Sequence, residues 1–324
     1  MRIEVPDPFS SGQGFRQQAD VPESIVLPPP DEDYSLPFFG AEARKTGADL
    51  PLPVGISVIG QYQRESIRAH NLQVGLGNGA LIDASFVGFN SIITRVRNLL
   101  FRGDLWLFPF LNIYGIAGES WSATDTSLFR PLNLDLTTNS NGVTLGFGGT
   151  LAYGIEPFGF ITLDANLTWA DQSILTNPQR TLTVTPRIGH RWLSELHPGR
   201  AFSVWVGASM EEFENASVGQ VPFSLGSGPG GSLPLPSDFG SWLAGLPATQ
   251  RASVGQLLSE LIMLEQGNGQ STAAFNLNIN PNKAWNMVLG GEMDLNKHWQ
   301  LIAEAGLLGS RTTVAGNLCY RFGI

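Results

Sequence analysis

From position 54 onward, apolar and polar residues alternate in segment after segment. Residues 159–171, GFITLDANLTWAD, set the pattern: Ile161, Leu163, Ala165, Leu167 and Trp169 share one parity, and Thr162, Asp164, Asn166 and Thr168 share the other. A period of two belongs to a strand with two unlike faces. Ten such segments are clear: 54–63, 92–108, 113–121, 143–155, 158–171, 181–192, 201–212, 285–295, 299–307 and 312–322. Two weaker ones lie at 71–76 and 274–279. Typical lengths of about 9–13 residues exceed those of soluble sheets and suit tilted strands that cross a membrane. Connections alternate between tight (EPFG, FPFLN, DLNKHW) and long (residues 122–142, and LSELHPGR), the habit of an up-and-down membrane barrel.

Two regions leave the pattern. Residues 1–52, with VLPPPDEDYSLPFFG, are rich in Pro, Asp, Glu and Ser and predict an extended arm, with Phe38 and Phe39 as a docking point. Residues 222–270 predict a helical insertion within the barrel domain 53–324. A Gly/Ser/Pro-rich linker leads to Asp238, an expected N-cap, and then to Phe239, Trp242, Leu243 and Leu246 at helical spacing. After Pro247 a second stripe follows: Val254, Leu257, Leu258, Leu261 and Ile262, with Glu260 and Glu265 off it. Such a stripe has to cover something, whether the lumen mouth, the barrel rim or another subunit.

The parity count assigns the faces. In 143–155, Val143, Leu145, Phe147, Leu151, Tyr153 and Ile155 oppose Thr144, Gly146, Gly148, Thr150, Ala152 and Gly154. Apolar sets with aromatics at their ends point outward to lipid: Trp169, Trp192, Trp285, Trp299, Tyr320 and Phe322 are the expected membrane-interface residues. The opposite set is expected to line a polar lumen: Arg102, Asp104, Asp164, Asn166, Arg187, Arg191, Glu211, Glu292, Glu304 and Arg321.

Composition agrees. Only 15% of residues are charged, against about 25% in soluble domains. A net charge of -9 gives no electrostatic support for nucleic-acid binding. The single cysteine, Cys319, excludes an intrachain disulfide and sits in a strand as a small packing residue. No apolar run is long enough for a transmembrane helix, and the first residues do not have the form of a signal peptide, so an exported chain is expected to lack its leader here. None of the four histidines, His70, His190, His197 and His298, falls in a catalytic or metal-binding spacing. The glycine run GLGNGA lacks the strand–helix context of a nucleotide loop. No catalytic residue, cofactor or metal is expected.

The end of the chain, VAGNLCYRFGI, resembles the C-terminal strand of bacterial outer-membrane β-barrels, although Gly316 lies one position early and two residues follow Phe322. LWLFPFLNIYGIAG, LGFGGTLAYG, TLDANLTW, TPRIGHRW and NKHWQLIAEAG together resemble an uncharacterised family of Gram-negative outer-membrane barrels. The resemblance implies insertion in outer-membrane lipid by the barrel-assembly machinery, a periplasmic N-terminal arm, and no known substrate or catalytic residue.

The expectation is therefore an all-β protein: an antiparallel transmembrane β-barrel of about twelve strands, with ten as the alternative. It is either a pore or transporter for small solutes or a closed barrel that displays loops and helices. Contacts with envelope partners or a second copy would run through 1–52 or 222–270.

Overall fold

Strict alternation over long stretches dictates a sheet whose two faces meet different surroundings, and the chain resolves this by closing the sheet on itself. The computed structural model describes residues 34–45, 48, 50–77, 79–131, 133–155, 159–194, 196–197, 199–213, 216–224, 235–266 and 270–324. The expected arm therefore lies outside the described residues up to position 33, and the linker lies outside them over 225–234. In chain order the elements are α1 (Gly40–Lys45), β1 (Val54–Leu76), β2 (Ile82–Asp83), β3 (Gly88–Phe108), β4 (Leu111–Arg130) and β5 (Leu134–Ile155). Next come β6 (Gly159–Gln172), β7 (Gln179–Leu193), β8 (Ala201–Phe213), β9 (Ser217–Ser224), α2 (Phe239–Gly245) and α3 (Ala248–Gln266). The chain ends with β10 (Gln270–Pro281), β11 (Trp285–Asp294), β12 (Trp299–Leu307) and β13 (Arg311–Phe322).

Ten strands form an antiparallel ring. β1, β3 to β8 and β11 to β13 pair in sequence, and β13 pairs back with β1. The ring thus has ten strands, the alternative count, and not twelve. Residues 71–76 are not a separate strand but the far half of β1, and 274–279 belong to β10, which sits above the ring rather than in it.

β1 has two partners along one edge. β13 covers it from Val54 to Glu65 and β10 from Ile67 to Leu76. Ser66 stands at the handover: its N–H donates to the Ser310 carbonyl at 3.0 Å, and its carbonyl accepts from the Asn282 N–H at 3.1 Å. β10 pairs with β9, which meets the β6–β7 connection through a Leu175–Gly219 bridge. The Ser173 N–H then reaches the Asn141 carbonyl of β5 at 2.9 Å. A smaller upper ring of β1, β3, β4, β5, β9 and β10 therefore stands on part of the lower one.

The wall changes polarity where the rings meet. On β5 the outer face carries exposed Val143, Leu145, Phe147, Leu151 and Tyr153 below, but exposed Asp135, Thr137, Asn139 and Asn141 above. The inner face reverses in step, from Thr144 and Thr150 below to Leu134 and Leu136 above. β1 does the same: Ile56, Val58 and Tyr62 face out below, then Arg64, Arg68, His70 and Gln73. The lower ring is thus wetted inside and greasy outside, and the upper ring is the reverse. At about 3.3 Å per residue and a tilt of about 40°, the belt from Val143 to Tyr153 stands about 25 Å tall, the height of a membrane barrel's apolar band. This is the construction of a transmembrane β-barrel. Residues 122–142, read from the sequence as a long loop, are instead the upper ends of β4 and β5, where alternation continues with its polarity inverted.

Asp238 does not cap α2 through its side chain; its carboxylate pairs with Arg130 at the end of β4. On α3, Val254, Leu257 and Leu261 are buried (0, 7 and 3% exposed) against Leu72, Leu76, Ala84 and Phe86. Phe39 stacks on Phe108 and Phe38 packs tilted against it at the opposite end, where the Phe38 N–H donates to the Leu107 carbonyl at 2.8 Å.

Candidate functional site: a chamber inside the barrel

Inward side chains of the lower ring pair with one another across strands, and they do so in three tiers. At the end where β1 begins and β13 stops, Arg321 donates to Asp104 at 2.9 Å and to the Leu52 carbonyl at 2.8 Å, and Asn112 donates to Asp104 at 2.7 Å. Arg102 joins through Asn112 at 3.0 Å. Across the barrel Arg191 pairs with Asp294 at 2.8 Å, and Gln300 donates to both Asp294 (2.7 Å) and Glu292 (3.0 Å). Asp104, Asn112, Asp294, Gln300 and Arg321 are all buried, so this tier forms a floor.

The middle tier rests on glycine. Tyr114 lies against Gly148, where a Cβ would come within 2.6 Å of its hydroxyl. That berth lets the phenol donate to Asp164 at 3.0 Å while the Arg102 guanidinium sits 3.7 Å from its ring centroid. Trp205 lies across Gly290 in the same way, with 2.5 Å to a built Cβ, and its indole N–H donates to Glu304 at 2.7 Å. Glu304 also takes both N–H groups of the Arg187 fork, at 2.7 and 3.0 Å, the bidentate geometry that makes such pairs strong. Asp164 further accepts from Thr150 at 2.6 Å and Asn166 at 3.4 Å. The third tier joins Arg311 to Glu211 at 2.7 Å and to Glu65 at 3.7 Å, with Gln63 donating to both carboxylates.

Above the floor lies a chamber of about 740 Å³. Arg102, Tyr114, Asp164, Arg187 and Glu304 line its lower end, and Ser120, Thr124, Thr138, Thr144 and Thr183 its waist. Leu72, Leu76, Phe89, Leu134 and Leu277 line the upper end together with Leu257 and Leu261 of α3, which thus forms part of the roof. The helix is tied down by the Arg130–Asp238 pair and by Gln250, which donates to Ser85 at 3.1 Å.

The ten polar residues singled out in the sequence all lie on inward parity. Arg102, Asp164, Asn166, Arg187, Glu211 and Glu304 border the chamber; Asp104, Arg191, Glu292 and Arg321 belong to the floor or its edge. Among the aromatics, Trp192, Trp285, Trp299 and Tyr320 stand exposed on the outer wall, and Trp169 and Phe322 partly so. Sequence reasoning missed Tyr114, Trp205 and Arg311 as members of the interior. Each has the right parity, but aromatics were expected at membrane boundaries and the last strand was started one residue too late. Among the described residues, no group of three or more His, Cys, Asp or Glu side chains is placed to hold a metal ion.

No protein-family model matches the chain, and no curated protein matches it. Solved structures that overlap it include an outer membrane channel from Pseudomonas putida F1 (11% identity, 85% of this chain and 97% of that one, TM-score 0.30). The translocator domain of the autotransporter NalP from Neisseria meningitidis overlaps at 11% identity, over 83% of this chain and 88% of that one, with TM-score 0.36. The transport unit of the autotransporter AIDA-I from Escherichia coli does so at 10% identity, over 84% and 90%, with TM-score 0.35. These are loose similarities of form, and the functional reading rests on the chain's own interior.

Proposed function

We propose that the protein is a gated outer-membrane pore for small solutes, with the chamber as its solute site. The chamber itself carries this reading. A barrel that served only as a wall could fill its lumen, whereas this one leaves about 740 Å³ between an ion-paired floor and a helical cap. Both boundaries are of kinds that can move. α3 is held by one apolar stripe and a few surface contacts, and at the edge of the floor the Arg191 side chain is still 34% exposed. Short turns at the end where β1 begins and taller walls at the other follow the rule that places the former in the periplasm and the latter outside the cell. The arm of residues 1–52 would then be periplasmic, and the ten inward polar residues would line or close the solute path. Insertion would fall to the barrel-assembly machinery. Nothing in the interior calls for catalysis.

Planar-bilayer recording tests this. Deleting residues 227–268 leaves Leu225, Gly226 and Gly269 as a short loop between Ser224 and Gln270, which are already paired. Discrete conducting steps that are rare in the intact protein and frequent after deletion are expected. The second reading, a closed barrel that displays its upper ring and exposed Ile262 and Met263 to a partner or a second copy, is favoured by the buried, ion-paired floor. It takes over if neither form conducts.

A further inference from the structure

The chamber's lining is graded from one end to the other, and the grading identifies a ligand class. We propose that it binds an uncharged amphipathic molecule, its apolar body under α3 and a single hydroxyl or carbonyl head at the hydroxyl-rich waist. This deepens the pore reading above and rests on it.

Three observations converge. Leu134, Leu257 and Leu277 at the roof offer only apolar surface, so a sugar or other all-polar solute would lose its hydrogen bonds to water there without replacement, at a cost of about 1–3 kcal/mol per group. Below them Thr124, Thr138 and Thr183 present hydroxyls, which can donate to a carbonyl or accept from a hydroxyl as the ligand requires. Finally, the charges at the lower end already have partners. Arg187 gives both fork hydrogens to Glu304, and Asp164 accepts from Tyr114, Thr150 and Asn166. Arg102 lies against the Tyr114 ring and donates to Asn112, and Arg311 is held by Glu211, so an ionic head would compete with these contacts, whereas a neutral head need not. The apolar body is desolvated at one end and the head is satisfied at the other.

The test uses the full chain in nanodiscs and calorimetric titration, with empty nanodiscs subtracted. The probes are 1-naphthol, naphthalene-1-sulfonate with the same apolar body and a fixed charge, and glucose. Saturable binding of 1-naphthol, displaced by 1-octanol, is expected, with the sulfonate at least tenfold weaker and glucose silent. Leu277→Glu should weaken 1-naphthol at least tenfold, and Asn139→Glu, on the outer face of the upper ring, should leave it unchanged. If Leu277→Glu fails to fold, Leu136→Asn makes the same comparison with a milder change. The inference is overturned if 1-naphthol binds no better than to empty nanodiscs, if the sulfonate binds equally well, or if the folded roof variants bind like the parent. Conductance after cap deletion without 1-naphthol binding would sink the ligand class and leave the pore standing. Binding without conductance would sink the pore and leave the ligand class.

Discussion

Arg321 and Asp104 come from strands 217 positions apart in the chain and meet inside the floor at 2.9 Å. Removing one partner leaves the other charge buried and unmatched, which costs about 3–5 kcal/mol, while replacing both by apolar residues of similar size costs far less. Arg321→Met should therefore lower the urea midpoint of the refolded barrel strongly, and Arg321→Met with Asp104→Leu should recover most of the loss. Equal or greater loss in the double variant would show that the pair is not coupled. A glycine matters in a different way. Gly290→Ala would push the Trp205 indole off its bed and away from Glu304, so the indole emission of that variant should shift to the red. Parity made the inward residues legible, since it needs only local sequence. Their partners were not legible, because pairing depends on which strands lie opposite one another. Tyr114 and Trp205 were hidden because an aromatic on a barrel strand has two stable homes, the membrane boundary and a glycine berth on the neighbouring strand.

Along β5 the outer wall passes from Asn141 to Val143 in one outward step, and that step marks the water–lipid boundary. Phe147→Arg, near mid-belt, should destabilise the barrel in bilayers by about 2–4 kcal/mol. Thr137→Arg, on the same face of the same strand but above the boundary, should be close to neutral. Comparable losses in a lipid-based unfolding titration would mean that the belt is misplaced. The inversion was present in the sequence as Leu134 and Leu136 against Asp135 and Thr137. It read as loop only because a membrane strand was expected to keep its apolar side outward throughout. For α3, placing carboxylates at Leu257 and Leu261 should undock the helix without unfolding the ring. Protease should then cut within 239–266 while the remaining barrel keeps its heat-dependent gel mobility; loss of that mobility would show that the cap is part of the barrel's stability.

At the scale of the molecule, a ring of ten strands and a smaller ring above it divide one chain between two solvents. Circular dichroism in detergent should be dominated by β-structure, with a heat-modifiable band on gels; a mainly helical spectrum would contradict the fold. The ten clear segments are the ten ring strands, as the alternative count had it, but the sequence could not choose ten over twelve, because counting alternating segments cannot tell one long strand from two, nor a strand in the ring from one stacked on it. β1 holds both rings together, and that has a consequence in time. It is the first barrel strand in the chain, yet its open edge is covered only by strands within residues 270–322, near the chain's end: β10 over one half, β13 over the other, meeting at Ser66. Until then that edge is a bare template able to recruit stray strands. Because β10 precedes β13, the outer half of the edge can be sealed first, and the Asn282–Ser66 contact then sets the register in which the β11–β12 hairpin swings round to deliver β13. The strand that follows the chamber's cap in the chain would thus already have served as the guide by which the barrel finds its own seam.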